Sequence, residues 1–382
     1  MHSTSQRTVR VGIAHERFTD VAGSEHVVEQ LAWVWPDAPV LVPFARKSGI
    51  PDINPARVRT SALQRVYPVL KGRSYAPLLP AVPAALRAVV AREHRASPLD
   101  ALVISHHAFA VAAAQRDIPS LAYVHSPARW AWDRKFLKGE TDSRAGQAAL
   151  RVLGTLARRN EKKHVGRLDA IVANSGAVRQ RIRDWWGRDA EIIHPPVDVE
   201  YFTPGPDSPA RGDYFISVGR LVPYKRVDIA ARAAVRAGVK IVIVGEGRDS
   251  GRVSAIAQQH PELVDMRGFL PTAEVRSLIQ GARGLLMPGE EDFGIVPVEA
   301  TACATPVIAL AKGGALDSVV DGETGVLVPE GTSEEETVAN FADAMAAFGA
   351  DRFDRSRLLE HAAGFSRAEF RRKMELAVSA LL

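Results

Sequence analysis

Two carboxylates, Glu291 and Glu299, stand eight residues apart in Met287-Pro-Gly-Glu-Glu-Asp-Phe-Gly-Ile-Val-Pro-Val-Glu299. The apolar run before this segment reads as a strand, and Pro297 suits the first position of a helix. The loop 289–296 would then deliver Glu291 and the amides of Phe293, Gly294, Ile295 and Val296 to the end of a sheet, with Glu299 in the first helical turn. A carboxylate there is stabilised in its charged form and accepts hydrogen bonds, for instance from paired ribose hydroxyls. Upstream, Gly219-Arg-Leu-Val-Pro-Tyr-Lys225 puts Arg220 and Lys225 in a strand-to-helix turn. Two cations beside a helix N-terminus suit a diphosphate. Gly245-Glu-Gly247 closes the following strand and permits close backbone approach, though a lone Gly-x-Gly is more often just a turn. Taken singly, these features fit solvated surface charges and a carboxylate that only offsets a helix dipole.

The elements that must hold these groups are legible as an alternation. Short β-branched runs at 8–13, 101–104, 121–124, 169–173 and 191–193 alternate with helical stretches, and the pattern restarts at 214–218, 239–244, 284–287, 306–310 and 325–328. Such alternation predicts α/β architecture, two doubly wound parallel sheets with helices on both faces. His194-Pro-Pro-Val-Asp198 and Thr203-Pro-Gly-Pro-Asp-Ser-Pro209 read as the linker, giving domains at 1–200 and 205–365. Ligands of such sheets bind beyond the carboxyl ends of the strands, so the two domains are expected to face a cleft. Ser366-Arg-Ala-Glu369 reads as a capping box opening a terminal helix with Phe370, Met374, Ala377 and Leu381 as its apolar stripe.

Composition narrows the classes. The chain has 382 residues, 46% hydrophobic and 24% charged, which suits two globular domains. One cysteine, Cys303, allows no intrachain disulfide. The first residues lack the apolar core of a signal peptide, and no segment has the length of apolar sequence needed to span a bilayer. Charge is uneven: 29 basic against 19 acidic residues in 1–200, and 20 against 25 in 201–382. A basic half suits an anionic surface, an acidic substrate or nucleic acid, or serves solubility alone. Zinc-ligand spacing, RNP-type aromatics and helix-turn-helix signatures are absent, so nucleic acid is not an expected partner.

Together, GRLVPYK (219–225), E-x7-E (291–299), TPVIAL (305–310), GG-x-x-D (313–317) and D-G-x-T-G (321–325) resemble the retaining nucleotide-sugar glycosyltransferases of family 4, which have the GT-B fold. YVHSPARWAWD (123–133), TSALQRVYP (60–68), YAPLLPAVP (75–83) and VANS (172–175) resemble the branch containing bacterial O-antigen-type mannosyltransferases. The resemblance implies that Arg220 and Lys225 hold the donor diphosphate and stabilise the leaving group. It implies that Glu299 binds the ribose, that Glu291 faces the transferred sugar, and that Gly219, Gly245 and the amides at 293–296 approach the donor. In the first half, His125 would reach the reacting centre and Gly23 would let backbone approach the diphosphate, with His106 and His107 weaker candidates. The terminal helix 366–382 would pack back on the acceptor-binding first domain.

Three positions depart from the family pattern: Ser24 and Ala304 stand where glycine is usual, and Asp317 where glutamate is. No Asp-x-Asp occurs, so neither a metal nor a cofactor is expected beyond the nucleotide sugar itself. Front-face transfer, with the leaving phosphate helping to deprotonate the acceptor hydroxyl, is the implied course. Mannose from GDP-mannose is the implied donor, and the acceptor is a lipid-linked saccharide or a small molecule. A UDP-sugar donor, a GT-B epimerase and a nonenzymatic binding module are the rivals. Residues 57–92 contain Arg57, Arg59, Arg65, Lys71, Arg73, Arg87 and Arg92 with Leu63, Val66, Tyr67, Leu70, Tyr75, Leu78 and Leu79, and no acid. That mixture fits either a core helix with a solvated face or a peripheral contact with an anionic membrane. The expected location is cytoplasmic, at the inner face of the plasma membrane.

Overall fold

A computed structural model of the chain describes residues 9–70, 74–133, 144–205 and 212–382. The chain divides into two compact units, Met1–Pro196 with Phe370–Leu382, and Val197–Glu369. The first is built on seven parallel strands: β1 (Val11–His15), β2 (Val40–Val42), β3 (Val58–Thr60), β4 (Ala101–His106), β5 (Ser120–Val124), β6 (Ala170–Ala173) and β7 (Glu191–Ile192). They lie in the order β3-β2-β1-β4-β5-β6-β7. The second unit has six: β8 (Tyr214–Val218), β9 (Lys240–Val244), β10 (Val264–Gly268), β11 (Leu285–Met287), β12 (Val307–Leu310) and β13 (Gly325–Val328), ordered β10-β9-β8-β11-β12-β13.

Central strands covered on both faces are largely apolar, and β1, β4, β5 and β12 are buried at every residue, their terminal polar residues included. In each sheet the strand order reverses once, between β1 and β4 and between β8 and β11. At such a reversal the connections leave in opposite directions, opening a crevice beyond the strand ends. Residues following those four strands are therefore the ones each sheet presents to a ligand.

Three strands escaped the sequence pattern. β2 and β3 have only three residues each, and β3 is partly exposed. β10, Val-Asp-Met-Arg-Gly, lies at a sheet edge with polar side chains interleaved, so it never forms an apolar run. β4 also extends two residues further than its apolar core, so His106 is its last residue rather than part of the loop.

The helix Arg367–Ser379 follows Ser366, whose hydroxyl accepts the Glu369 N–H at 3.3 Å. Phe370, Met374 and Val378 are buried among the β1, β4 and β5 side chains of the first unit, with Ala377 and Leu381 packed beside them. Arg371 lies over the Trp33 ring at 3.7 Å.

Segment 57–92 is less available to a surface than its composition suggests. Arg57 donates to the carbonyls of Ala32, Trp35 and Ala38, and so closes the C-terminal end of the helix Gly23–Val34. Arg92 donates to Thr60 O, Arg87 meets His164, and Arg59 lies 3.8 Å from Glu93. Leu78 is buried, and Leu63, Tyr67, Leu70, Tyr75 and Leu79 pack on the core. Of the named apolar residues only Val66 is exposed, next to Arg65 and near exposed Val69. Lys71 and Arg73, like linker residues 206–209, lie outside the described residues. No helix among the described residues is long and apolar enough to cross a membrane.

Candidate active site

In the second unit the predicted residues converge where β8 and β11 end. After Val218 the chain turns through Gly219 and Arg220 into a short 3-10 turn, Pro223–Lys225. Lys225 Nζ meets Glu291 Oε1 at 2.8 Å, each side chain about one-fifth exposed. Burial pulls the Lys225 amine down, but the charges of Glu291 and Tyr224 and the Glu291 hydrogen bond outweigh it and leave the amine above its ordinary value. Exposed Arg220 is close enough to act on both Lys225 and Tyr224. The sequence assigned Lys225 and Glu291 to different parts of a substrate. The structure pairs them.

Close backbone approach holds these loops. A Cβ on Gly245, which has φ +135°, would lie 1.9 Å from Gly219 O, so only glycine lets the β9 end lie against the β8 turn. Gly314 donates its N–H to Glu291 O at 2.9 Å, and a Cβ there would lie 2.2 Å from Phe293 Cα. The glycine pair at 313–314 thus clasps the loop carrying Glu291. Phe293 is buried beneath it.

One expectation is corrected. The helix runs Ile295–Ala302 with Gly294 as its N-cap, so Pro297 is its third residue and Glu299 its fifth, beyond the first turn. Gly294 takes φ +87°, which ends the loop two residues earlier than proline placement predicts. Proline is tolerated there because the first four helical N–H groups have no intrahelical acceptor. The amides of Ile295 and Val296 belong to that first turn and are placed to meet an anion. Glu299 is half-buried, and its charge, after burial itself, helps push the Cys303 thiol up to about 12. Beside Gly245 an open cavity of about 520 Å³ is lined by Glu246, Gly247, Ser250, Met266, Arg267 and Gly268.

In the first unit, His125 follows β5 and Gly23 opens the helix Gly23–Val34. His125 Nε2 lies 2.8 Å from Ser105 Oγ, which lies 3.0 Å from His15 Nδ1. Burial and the neighbouring His15 push the His125 ring down to about 3. His107 packs edge-on against His125 at 5.9 Å and lies 6.0 Å from His15, and burial followed by the Arg17 charge holds it well below the histidine range. His106 does something else: its Nε2 meets Glu161 at 3.1 Å, and Glu161 also accepts from Ala128 N–H, Trp132 Nε1 and Trp186 Nε1. That carboxylate is wholly buried and fully engaged, so His106 is structural. His15, Ser105 and Glu25 were not singled out in the sequence. For His15 and Ser105 the signal was a polar residue at or next to the end of an otherwise apolar strand; Glu25, in the helix Gly23–Val34, gave none.

Comparison with known proteins gives this arrangement its class. Residues 21–201 match the family model Glycosyltransferase Family 4, and residues 204–359 match Glycosyl transferases group 1. Each unit thus matches a glycosyltransferase family model, and the fold is GT-B. The fold match extends over 97% of the chain to sucrose-phosphate synthase from Thermosynechococcus elongatus (TM-score 0.72, 18% identity, 99% of that chain). It extends equally to Anabaena HepE in complex with UDP and glucose (TM-score 0.65, 20% identity, all of that chain). In sequence, the D-inositol 3-phosphate glycosyltransferase of Mycobacteroides abscessus is 34% identical over 226 residues, 54% of this chain and 50% of that protein. The matched region spans about half the length of the curated relatives or less.

Proposed function

We propose that the chain is a retaining glycosyltransferase that moves a sugar from a nucleotide-diphosphate donor to an acceptor hydroxyl. The observation that carries this reading is the Lys225–Glu291 pair beside Arg220, at the strand-order reversal of the second sheet and next to the helix start at Ile295. Arg220 and Lys225 hold the diphosphate and stabilise the charge that grows on it as the sugar–phosphate bond breaks. Amides of residues 293–296 approach the same phosphates and the sugar. Glu291, freed from part of its hold on Lys225, takes a sugar hydroxyl, and Glu299 takes the ribose. The cavity beside Gly245 has the size and partly apolar lining to take the base.

Front-face transfer fits these residues: the leaving diphosphate oxygen accepts the proton of the incoming hydroxyl, while the two cations stabilise the negative charge that the diphosphate carries away. The family resemblance supports His125 as a contact to the transferred sugar and Gly23 as a point of close backbone approach to the diphosphate. No step calls for a metal ligand or a cofactor.

Motifs of the first half support mannose from GDP-mannose as donor, with a lipid-linked saccharide as acceptor. A second reading is favoured by similarity to a D-inositol 3-phosphate glycosyltransferase and by the fold match with UDP- and glucose-bound HepE: a UDP-sugar donor and a small phosphorylated acceptor. Exposed Val66 and Val69 beside Arg65 support peripheral contact with an anionic cytoplasmic leaflet in the first reading. Vesicle co-sedimentation separates the two, since binding should require anionic lipid and fall with salt. Equal binding to neutral vesicles, or none to anionic ones at low salt, removes the membrane reading.

The reaction is tested by incubating the protein with GDP- and UDP-sugars and no acceptor. Slow release of nucleoside diphosphate with free sugar is expected for a transferase. Epimerised nucleotide sugar identifies an epimerase, and binding with no turnover under any acceptor identifies a binding module.

A further inference from the structure

At the ends of β1, β4 and β5 the polar side chains form one unbranched chain. Glu25 Oε1 lies 3.3 Å from His15 Nε2, His15 Nδ1 lies 3.0 Å from Ser105 Oγ, and Ser105 Oγ lies 2.8 Å from His125 Nε2. His15 and Ser105 are wholly buried. Each neutral member has a single proton to give along the chain, so fixing one end fixes the direction of all three bonds.

Glu25 is the fixed end. Its second oxygen accepts the Ala22 N–H at 3.1 Å and the Ser24 hydroxyl at 2.9 Å. Burial pushes its carboxyl up, but the hydrogen bonds it accepts from His15 and Ser24 oppose that, and the group lies below its ordinary value. An ionised carboxylate only accepts. His15 Nε2 therefore carries the proton and Nδ1 is bare. Bare Nδ1 takes the one hydroxyl proton of Ser105, and the lone pair of that oxygen takes a proton from His125 Nε2. The lone pair of His125 is left on Nδ1. Running the chain the other way needs two protons on His15, an extra charge on a ring with no exposed surface and with Phe18 and His107 as ring neighbours.

We propose that Glu25, His15 and Ser105 are positioning residues that lock His125 in its Nε2–H tautomer, so that Nδ1 serves as a hydrogen-bond acceptor for a substrate hydroxyl and not as a proton-carrying base. The substrate half of this statement rests on the glycosyltransferase reading, which places His125 at the reacting centre; the tautomer does not. Burial and the neighbouring His15 push the His125 ring well down, so the ring is neutral at pH 7. Tyr123 steadies the ring edge-on at 5.2 Å, and Phe370 from the terminal helix packs edge-on against Tyr123 at 5.5 Å. The lock is thus held by packing as well as by hydrogen bonds.

Long-range proton–nitrogen NMR on the full chain labelled with 15N-histidine reads the tautomer directly, with His125→Gln identifying the His125 signals. A protonated Nε2 and a bare Nδ1 at pH 7 are expected. Ser105→Ala should give mixed tautomers and a roughly tenfold lower kcat with KM little changed, while Ser105→Thr, which restores the hydroxyl, should recover both. Should Ser105→Ala fail to fold, Glu25→Gln should blur the tautomer in the same way. A wild-type His125 protonated on Nδ1, or an unchanged tautomer in folded Ser105→Ala, overturns the proposal. The expected tautomer with normal turnover in Ser105→Ala and His125→Gln upholds the lock and overturns the catalytic placement of His125.

Discussion

At the end of the second sheet Lys225 and Glu291 meet as a charged, partly exposed pair, whereas at the end of the first sheet His15, Ser105 and His125 are joined through buried, neutral hydrogen bonds. Both sit at a strand-order reversal, so the backbone does the same work in each. The difference lies in what the ligand would bring. A diphosphate carries its own charge and is met by cations that gain strength as water leaves. A hydroxyl brings only a hydrogen bond, and a site for it must decide in advance which partner donates. The positive end uses partly exposed side chains on glycine-laced loops; the neutral end uses buried side chains linked one to the next by hydrogen bonds.

The largest effects should come from the charged end. Lys225→Ala and Arg220→Ala are each expected to lower turnover on the order of a hundredfold or more, with folding intact by circular dichroism, because each removes a cation facing charge that grows in the transition state. Near-normal turnover in both would remove the diphosphate from this end.

The two carboxylates should separate next. Glu291→Ala should cut kcat by roughly tenfold or more, whereas Glu299→Ala should mainly raise the KM for donor, since ribose contacts are equal in ground and transition states. Steady-state kinetics with the donor varied would expose a reversal of the two roles.

Acid should weaken the first unit selectively. The histidines at 107 and 125 titrate below their unfolded value of 6.5, so the stability they contribute is complete above about pH 6.5 and drains as pH falls towards 3. Glu25, lowered to about 2, adds a loss that begins only below its unfolded 4.5. In the second unit Lys225, raised above 10.5, loses its contribution only in strong base, and Asp228, raised mainly by burial, favours the folded state in acid. Melting temperature followed from pH 7.5 to 4.5 should therefore fall, and fall less in a His107→Asn variant. A flat profile would contradict the buried-neutral reading of the histidines.

What could be read from sequence followed from repetition, and what could not followed from geometry. Long β-branched runs announced most strands, while three-residue β2 and polar-interleaved β10 gave no run to see. Arg220, Lys225 and Glu291 were visible as types at spacings. Their pairing was not, because whether Lys225 reaches Glu291 depends on Gly245 and Gly314 letting three loops touch. Glu25, His15 and Ser105 are scattered over ninety residues and became one chain only when β1 and β4 paired. Arg57 looked like a surface cation until its carbonyl partners were in place.

One departure from the family pattern has a physical reading and the smallest expected effect. Ala304 takes φ +59°, a left-handed conformation that costs a residue with a Cβ about 1 kcal/mol. Ala304→Gly should raise the melting temperature of the second unit by about 2–4 °C without changing kcat. A lower melting temperature would mean that the packing of the Ala304 methyl outweighs its strain.

The central claim, that the end of the second sheet is built for a diphosphate, is tested most directly by calorimetric titration with nucleoside mono- and diphosphates. The wild-type protein should bind the diphosphate of its preferred base at least about tenfold more tightly than the monophosphate, a difference of about 1.4 kcal/mol, and Lys225→Ala should erase that difference. Equal affinity for mono- and diphosphate in the wild type, or an undiminished preference in Lys225→Ala, would contradict the account.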